Sequence, residues 1–193
     1  MEQIRTFIAI ELDDALKTAL TQVQEQLKSA RVSRIGRWIS PNSIHLTLKF
    51  LGNVPVARIA EIEQALRQAC ASFAPFDISL AGAGCFPNAR RPRVIWVGVD
   101  GDVETLNRLQ RSIESELSSI GFATEKRRFH PHLTLARIRD SARPHEREEM
   151  AKLIAAAQVD TSASMTVQDI SLMRSDLRPT GAVYTRLAAI PLV

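Results

Sequence analysis

The sequence has 193 residues, of which 45% are hydrophobic and 24% are charged, and its formal net charge is +4. This composition is typical of a soluble globular protein, and no apolar run is long enough to span a bilayer, so we expect no membrane partner and a cytoplasmic location. The positive charge makes an anionic partner reasonable but does not distinguish RNA, DNA and a small phosphate ester.

The predicted elements alternate between strands and helices from the start of the chain. The alternating stretch RTFIAIEL predicts a strand over 5–12. An apolar stripe with acidic residues at its start predicts a helix over about 13–29. A second strand is predicted over 44–51, and a second helix is predicted to begin at Pro55.

The middle of the chain contains two predicted strands and one helix. FDISL predicts a strand over 76–80, followed by a glycine-rich turn and the exposed basic loop CFPNARRPR. VIWVGV predicts a mostly buried strand over 94–99. A helix follows, capped by Asp102 and closed by Gly121.

The remaining elements repeat the earlier order. FHPHLTLARI contains a strand, Pro144 opens a helix, and strands are predicted over 165–177 and 183–192. Hairpin-like strand pairs favour antiparallel sheets, so the predicted fold class is α+β. Because no linker divides the chain, we expect one bilobal domain over 1–193. Each lobe is expected to be an antiparallel sheet with helices outside, with a groove between the duplicated lobes.

The tetrapeptide HLTL occurs twice, beginning at His45 and again at His132, in a chain with four histidines. Side chains alternate between the two faces of a strand, so His45 and Thr47 share one face and the leucines share the other. The same alternation pairs His132 with Thr134. One such motif is typical of an ordinary solvated strand face, whereas two in duplicated lobes indicate a shared site.

Two imidazoles on opposite sides of a phosphate suit acid–base catalysis. The ordinary histidine pKa of about 6.5 allows one neutral and one protonated ring near neutral pH, so one can accept and the other donate a proton. The threonine hydroxyls can donate hydrogen bonds to the non-bridging oxygens, where negative charge grows. This chemistry needs no metal and no cofactor.

The paired motifs resemble the two-histidine (2H) phosphoesterases, which are defined by two His-x-Thr-x units in a duplicated α+β fold. The sequence looks most like their RNA 2′,3′-cyclic phosphodiesterases, also called 2′-5′ RNA ligase-like proteins. The resemblance spans nearly the whole chain. The matching stretches are RTFIAIEL, SIHLTLKFLG, RPRVIWVGV, FHPHLTLAR and SDLRPTGAVYTRL.

The resemblance implies hydrolysis of a terminal RNA 2′,3′-cyclic phosphate to a 2′-phosphate, with reversible 2′-5′ ligation as a further activity. It implies that His45 donates a proton, that His132 accepts one, and that Thr47, Thr134 and Arg137 bind substrate. Arg137 lies an odd number of residues after His132 and would face away from it unless the strand bulges. The implied partners are RNA ends, tRNA fragments among them, and we expect a monomer.

Two other functions fit the same residues. A 2H enzyme could act on a small cyclic nucleotide or an ADP-ribose cyclic phosphate. A non-catalytic module could bind RNA ends, although a pure phosphate clamp would favour arginine or lysine over histidine.

Four further features have two readings each. His130 precedes His132 in HPH, a spacing that suits metal ligands, but no third ligand lies nearby and we expect no metal. Phe7 is expected to pack in the core, with base stacking as the alternative. The basic clusters 126–128 and 90–93 are either solvated charge or contacts to an RNA backbone.

Overall fold

The structure is a computed structural model that describes residues 2–179 and 181–193. In these ranges the chain forms nine strands and four longer helices. The strands are β1 (Gln3–Glu11), β2 (Gly36–Trp38), β3 (His45–Pro55), β4 (Phe76–Phe86), β5 (Val94–Gly101), β6 (His132–Ile138), β7 (Ser164–Val167), β8 (Asp169–Arg178) and β9 (Gly181–Pro191). The helices are α1 (Asp14–Lys28), α2 (Ile59–Cys70), α3 (Val103–Ser119) and α4 (Pro144–Ala156).

The strands form one antiparallel sheet in the order β7-β4-β5-β6-β3-β1-β8-β9, with β2 paired to β6. The two HLTL strands, β3 and β6, are neighbours at the centre. We call β3, β1, β8 and β9 the His45 half-sheet, and β6, β5, β4, β7 and β2 the His132 half-sheet. The halves join at the single residue pair Leu46 and Leu133.

The α+β prediction is confirmed by this sheet and its four helices. Helices α2 and α3 pack on each other, α2 contacts β9, and α3 contacts β3. Helix α4 contacts β4, and α1 contacts β7. Since the strand order is symmetric about the β3–β6 junction, we propose that the two half-sheets are pseudo-symmetric lobes of one domain.

The helix starts follow the predicted caps. The side chain of Asp13 accepts a hydrogen bond from the Leu16 backbone N–H (2.9 Å), and Asp102 accepts one from the Thr105 N–H (2.9 Å). Each side chain satisfies a donor that the first turn of a helix leaves unpaired. None of the helices in the described ranges combines the length and the apolarity needed to cross a membrane.

Three predicted boundaries were wrong, and one strand was missed. Strand β3 continues past residue 51 to Pro55 through Gly52, whose positive φ of 75° lets the strand bend. Pro55 lies directly before the 3₁₀ turn Val56–Arg58 that leads into α2, so the predicted helical start at Pro55 is close to the observed one. Strand β4 continues through the glycine-rich stretch to Phe86 because β5 pairs with it along its length. The single strand predicted over 165–177 is two strands, β7 and β8, and the short strand β2 was not predicted.

Candidate active site

The apolar side of the HLTL motifs anchors the site. Leu46 and Leu133, the pair that joins the half-sheets, are fully buried, as is Leu135, and Leu48 is nearly so. Strand alternation then places the histidines and threonines on the opposite face of the sheet. The packing of the leucines therefore fixes where the polar side chains point.

All five site residues that the sequence predicted line one cavity of about 460 Å³, which we call the histidine cavity. They are His45, Thr47, His132, Thr134 and Arg137. Its volume lies in the range of small-ligand sites. The side chains come from two strands whose motifs are far apart in the sequence.

A β-bulge brings Arg137 to this cavity. Ile95 of β5 pairs with Ala136, whereas the next residue, Trp96, pairs with Thr134, so Leu135 is an extra residue in β6. Leu135 and Ala136 are both fully buried, and the alternation changes phase between them. Arg137 therefore faces the same side as Thr134. The sequence predicted this orientation only for a strand with a bulge.

Strand β3 has the same irregularity at the equivalent point. Ile8 of β1 pairs with Lys49 and Ala9 pairs with Thr47, so Leu48 is the extra residue. The bulge turns Phe50 toward the histidine cavity, where it is 64% exposed. Phe50 thus occupies the position in the first motif that Arg137 occupies in the second.

Both imidazoles are held in the same way. Nδ1 of His45 lies 2.9 Å from the Ser43 carbonyl oxygen, and Nδ1 of His132 lies 2.7 Å from the His130 carbonyl oxygen. A carbonyl oxygen only accepts, so Nδ1 carries the proton in each ring and donates it. Nε2 is then the nitrogen of each ring that is available to a ligand.

The two histidines differ in their charged neighbours. Burial lowers the pKa of His45, and the hydrogen bond to Ser43 and the carboxylate of Glu11 partly oppose that shift. Burial also lowers the pKa of His132; there, the hydrogen bond to the His130 carbonyl opposes the shift, whereas the charges of His130 and Arg137 add to it. Local charge therefore favours protonation of His45 and disfavours protonation of His132.

The sheet register explains this difference. Glu11 of β1 is the cross-strand partner of His45, and Gly98 of β5 is the cross-strand partner of His132. A carboxylate thus stands beside one histidine where the other has a glycine. The Glu11 carboxylate accepts a hydrogen bond from the Ser171 hydroxyl (2.7 Å) and pairs with the Arg186 guanidinium (3.2 Å).

Aromatic rings surround both histidines. Phe7 is 2% exposed, as expected of a packed residue, and it lies 4.8 Å from the His45 ring where it also lines the histidine cavity. Tyr184 packs edge-on at 5.0 Å from the same ring. Phe86 packs edge-on at 4.9 Å from His132. These contacts restrict the imidazoles to one orientation.

His130 packs on Phe86 and Trp96, each at 5.4 Å between ring centroids. Within residues 2–179 and 181–193, no group of three or more His, Cys, Asp or Glu side chains is placed to hold a metal ion. In the basic cluster 126–128, Arg127 pairs with Glu125 at 3.0 Å. Arg128 lines a second cavity beside Trp96.

Several residues of the histidine cavity were not predicted as site residues from the sequence, among them Arg5, Phe50, Leu177 and Tyr184. Phe50 could have been found, because it follows the first HLTL at the same distance as Arg137 follows the second. Arg5, Leu177 and Tyr184 come from β1 and the β8–β9 hairpin, and no local pattern indicates that these strands flank β3.

The sequence matches the family model described as the 2′-5′ RNA ligase superfamily over residues 12–179. The chain belongs to this superfamily. The match includes both HLTL motifs and Arg137, and it confirms the resemblance seen in the sequence.

Curated relatives align along nearly their whole lengths. A protein of Methanothermobacter thermautotrophicus named RNA 2′,3′-cyclic phosphodiesterase is 38% identical over 190 residues, which are 98% of this chain and 100% of that protein. One of Archaeoglobus fulgidus with the same name is 34% identical over 184 residues, 95% of this chain and 98% of that protein.

Solved structures share the fold. The crystal structure of TT0787 of Thermus thermophilus has a TM-score of 0.79 at 27% identity and covers 98% of both chains. The structure of Escherichia coli LigT complexed with 3′-AMP has a TM-score of 0.77 at 24% identity, and covers 100% of this chain and 99% of that chain.

Proposed function

We propose that this protein hydrolyses the terminal 2′,3′-cyclic phosphate of RNA to a 2′-phosphate, without a metal, and that it can also catalyse reversible 2′-5′ ligation. Two independent lines support the hydrolysis. Relatives that align along the whole chain carry the name RNA 2′,3′-cyclic phosphodiesterase. The histidine cavity also contains two imidazoles whose Nε2 atoms are available.

In the proposed reaction, Nε2 of His132 accepts a proton from water while the water oxygen attacks phosphorus. The bond from phosphorus to O3′ breaks on the opposite side, and Nε2–H of His45 donates a proton to O3′. The product is a 2′-phosphate with a free 3′-hydroxyl. The 5′-hydroxyl of a second RNA in place of water would give the 2′-5′ linkage.

The observation that carries these roles is the unequal charge around the histidines. A proton donor must start protonated, and the Glu11 carboxylate beside His45 favours that form. A proton acceptor must start neutral, and the cation of Arg137 beside His132 favours that form. These charge effects support the roles that the resemblance implied, while burial lowers the pKa of both rings.

Thr47, Thr134 and Arg137 are proposed to bind the phosphate oxygens. Hydroxyls and a guanidinium donate hydrogen bonds where negative charge develops, which stabilises the transition state. An arginine fork matches two phosphate oxygens at once.

One chain supplies every residue of this site, which supports the proposal that a monomer is active. We further propose that it acts in the cytoplasm on RNA ends, tRNA fragments among them. Contacts between the basic clusters 126–128 and 90–93 and the RNA backbone stay predictions.

The test uses an RNA oligonucleotide that ends in a 2′,3′-cyclic phosphate, incubated with the protein in EDTA, with the product end identified. We expect a 2′-phosphate. His45→Ala and His132→Ala should each reduce turnover by about 10²–10⁴-fold. His145→Ala is the matched control, because His145 is exposed at the start of α4 and outside the cavity.

Each other outcome changes the conclusion. A 3′-phosphate product, or near-full activity of either cavity variant, would refute the mechanism. Tight RNA binding without turnover would identify a binding module. Turnover of a cyclic mononucleotide or an ADP-ribose cyclic phosphate, but not of the oligonucleotide, would identify a small-molecule phosphodiesterase.

A further inference from the structure

Two arginines face each other directly in the His132 half-sheet. Strand β2 pairs with β6 so that Arg37 is the cross-strand partner of Arg137. Partners in register project from the same face of a sheet, with their Cβ atoms about 5 Å apart. Arg37 therefore lies beside a residue that lines the histidine cavity.

The neighbouring residue pair shows that Arg37 and Arg137 project from the face of the sheet that points away from the core. Trp38 is the partner of Ala136; Ala136 is fully buried and Trp38 packs against the core. Alternation then places Arg37 and Arg137 on the opposite face, where both are exposed.

This arrangement lacks a counterion. Like charges directly opposite each other destabilise a strand pair, and arginine does not lose its charge in proteins. Among the residues that the structure describes, neither Arg37 nor Arg137 forms an ion pair with a carboxylate. Arg34, three residues earlier, does pair with Glu146 at 3.2 Å.

An anion bound at this face would relieve the repulsion. One phosphate held by the two histidines and by Arg137 would leave Arg37 without a partner, because Arg37 stands beside Arg137 but does not itself line the histidine cavity. An RNA chain brings a second phosphate, on the 5′ side of its terminal nucleoside. A cyclic mononucleotide brings none.

We propose that Arg37, beside Arg137, forms a second phosphate subsite that binds the phosphodiester on the 5′ side of the terminal nucleoside. The proposal rests on the proposed function and deepens it. Arg37 makes the enzyme favour an RNA chain over a cyclic mononucleotide, whereas the histidines act on both.

The test compares two substrates that differ by one nucleoside and the phosphodiester that joins it: a cyclic mononucleotide and a dinucleotide with the same cyclic end. In Arg37→Gln we expect KM for the dinucleotide to rise about tenfold or more, with kcat unchanged and with both constants for the mononucleotide unchanged. A charge-assisted hydrogen bond is strong enough for this effect.

Salt dependence gives a second readout that a purely structural role would not move. Each phosphate contact contributes about 0.7 to the slope of log affinity against log salt for single strands. The slope for the dinucleotide should fall by about that amount in Arg37→Gln. Arg37→Lys should restore the slope but only part of the affinity, since lysine lacks the fork.

Two controls isolate the contact. Arg34→Gln removes an arginine from the same segment that already has a carboxylate partner, and it should leave both substrates unaffected. A dinucleotide with an uncharged methylphosphonate linkage should bind the wild type as weakly as the natural dinucleotide binds Arg37→Gln.

Equal effects of Arg37→Gln on both substrates, or no effect on the dinucleotide, would overturn the subsite. A wild-type protein inactive on both would refute the proposed function instead. Calorimetric binding of a dinucleotide 3′-phosphate to wild type and Arg37→Gln would then still decide whether Arg37 holds the inner phosphate.

Discussion

The buried Lys49 side chain tests how the first HLTL motif is anchored to the rest of the fold. It follows the extra residue of the β3 bulge, and its side chain is 4% exposed. Its Nζ donates to Oε2 of Glu114 in α3 (2.5 Å) and to the Ala123 carbonyl (2.8 Å). Lys49 thus ties the first motif to α3 and to the segment that leads to the second motif.

We expect Lys49→Met to lower the free energy of unfolding by about 3 kcal/mol. Removing one partner of a buried ion pair leaves the other charge uncompensated, which costs about 3–5 kcal/mol. The lower end applies because Glu114 still accepts hydrogen bonds from the Gln110 amide (3.3 Å) and the Glu125 N–H (3.2 Å). This is a large part of a typical total of about 5–15 kcal/mol.

The assay is urea unfolding with an unchanged m-value, which separates lost stability from a change in the unfolded state. The double variant Lys49→Met/Glu114→Leu should be more stable than Lys49→Met, because it removes the uncompensated carboxylate. Lys152→Met, which breaks the exposed pair with Glu148, should unfold like the wild type. A double variant no more stable than the single would refute this account.

Two further predictions concern the histidines and their surroundings. In Glu11→Gln the carboxylate that raises the pKa of His45 is lost, so the alkaline limb of the kcat/KM profile should move to lower pH. The acid limb, set by His132, should stay; movement of the acid limb instead would reverse the two roles. In Gly84→Ala the new Cβ would lie 2.4 Å from the Trp96 ring, so the ring must shift, and we expect a loss of about 1–3 kcal/mol in urea unfolding. Unchanged stability would show that the ring has room to move.

The sequence predicts which residues form the site better than it predicts the strand pairing that positions them. Alternation within each HLTL motif places leucines on one face and His and Thr on the other, and this local pattern survives in the structure because the leucines are buried. The two motifs could be expected to share a cavity because they are copies. Their direct adjacency at Leu46 and Leu133 is a long-range pairing that no local pattern encodes.

The bulges could not be predicted, because counting alternate residues assumes that none is extra. Lys49 illustrates why. In the alternating stretch HLTLK, Lys49 should face solvent on the same side as His45 and Thr47. It is buried instead, because its ammonium group pairs with the carboxylate of Glu114, 65 residues away. Where a strand changes phase thus depends on a partner in another element. The position of Arg37 beside Arg137 could not be predicted for a related reason, because β2 becomes a strand only by pairing with β6.

A duplicated motif creates two equivalent histidines, but in-line displacement at phosphorus needs an acid on one side and a base on the other. The motifs themselves cannot supply that difference, because both read HLTL and both rings are fixed by the same backbone contact. The difference comes from register: the partner of His45 is Glu11, and the partner of His132 is Gly98. Arg137 adds a cation near His132. Exchanging Glu11 and Gly98 would therefore remove from His45 the carboxylate that register places beside it, while the contribution of Arg137 to His132 would remain.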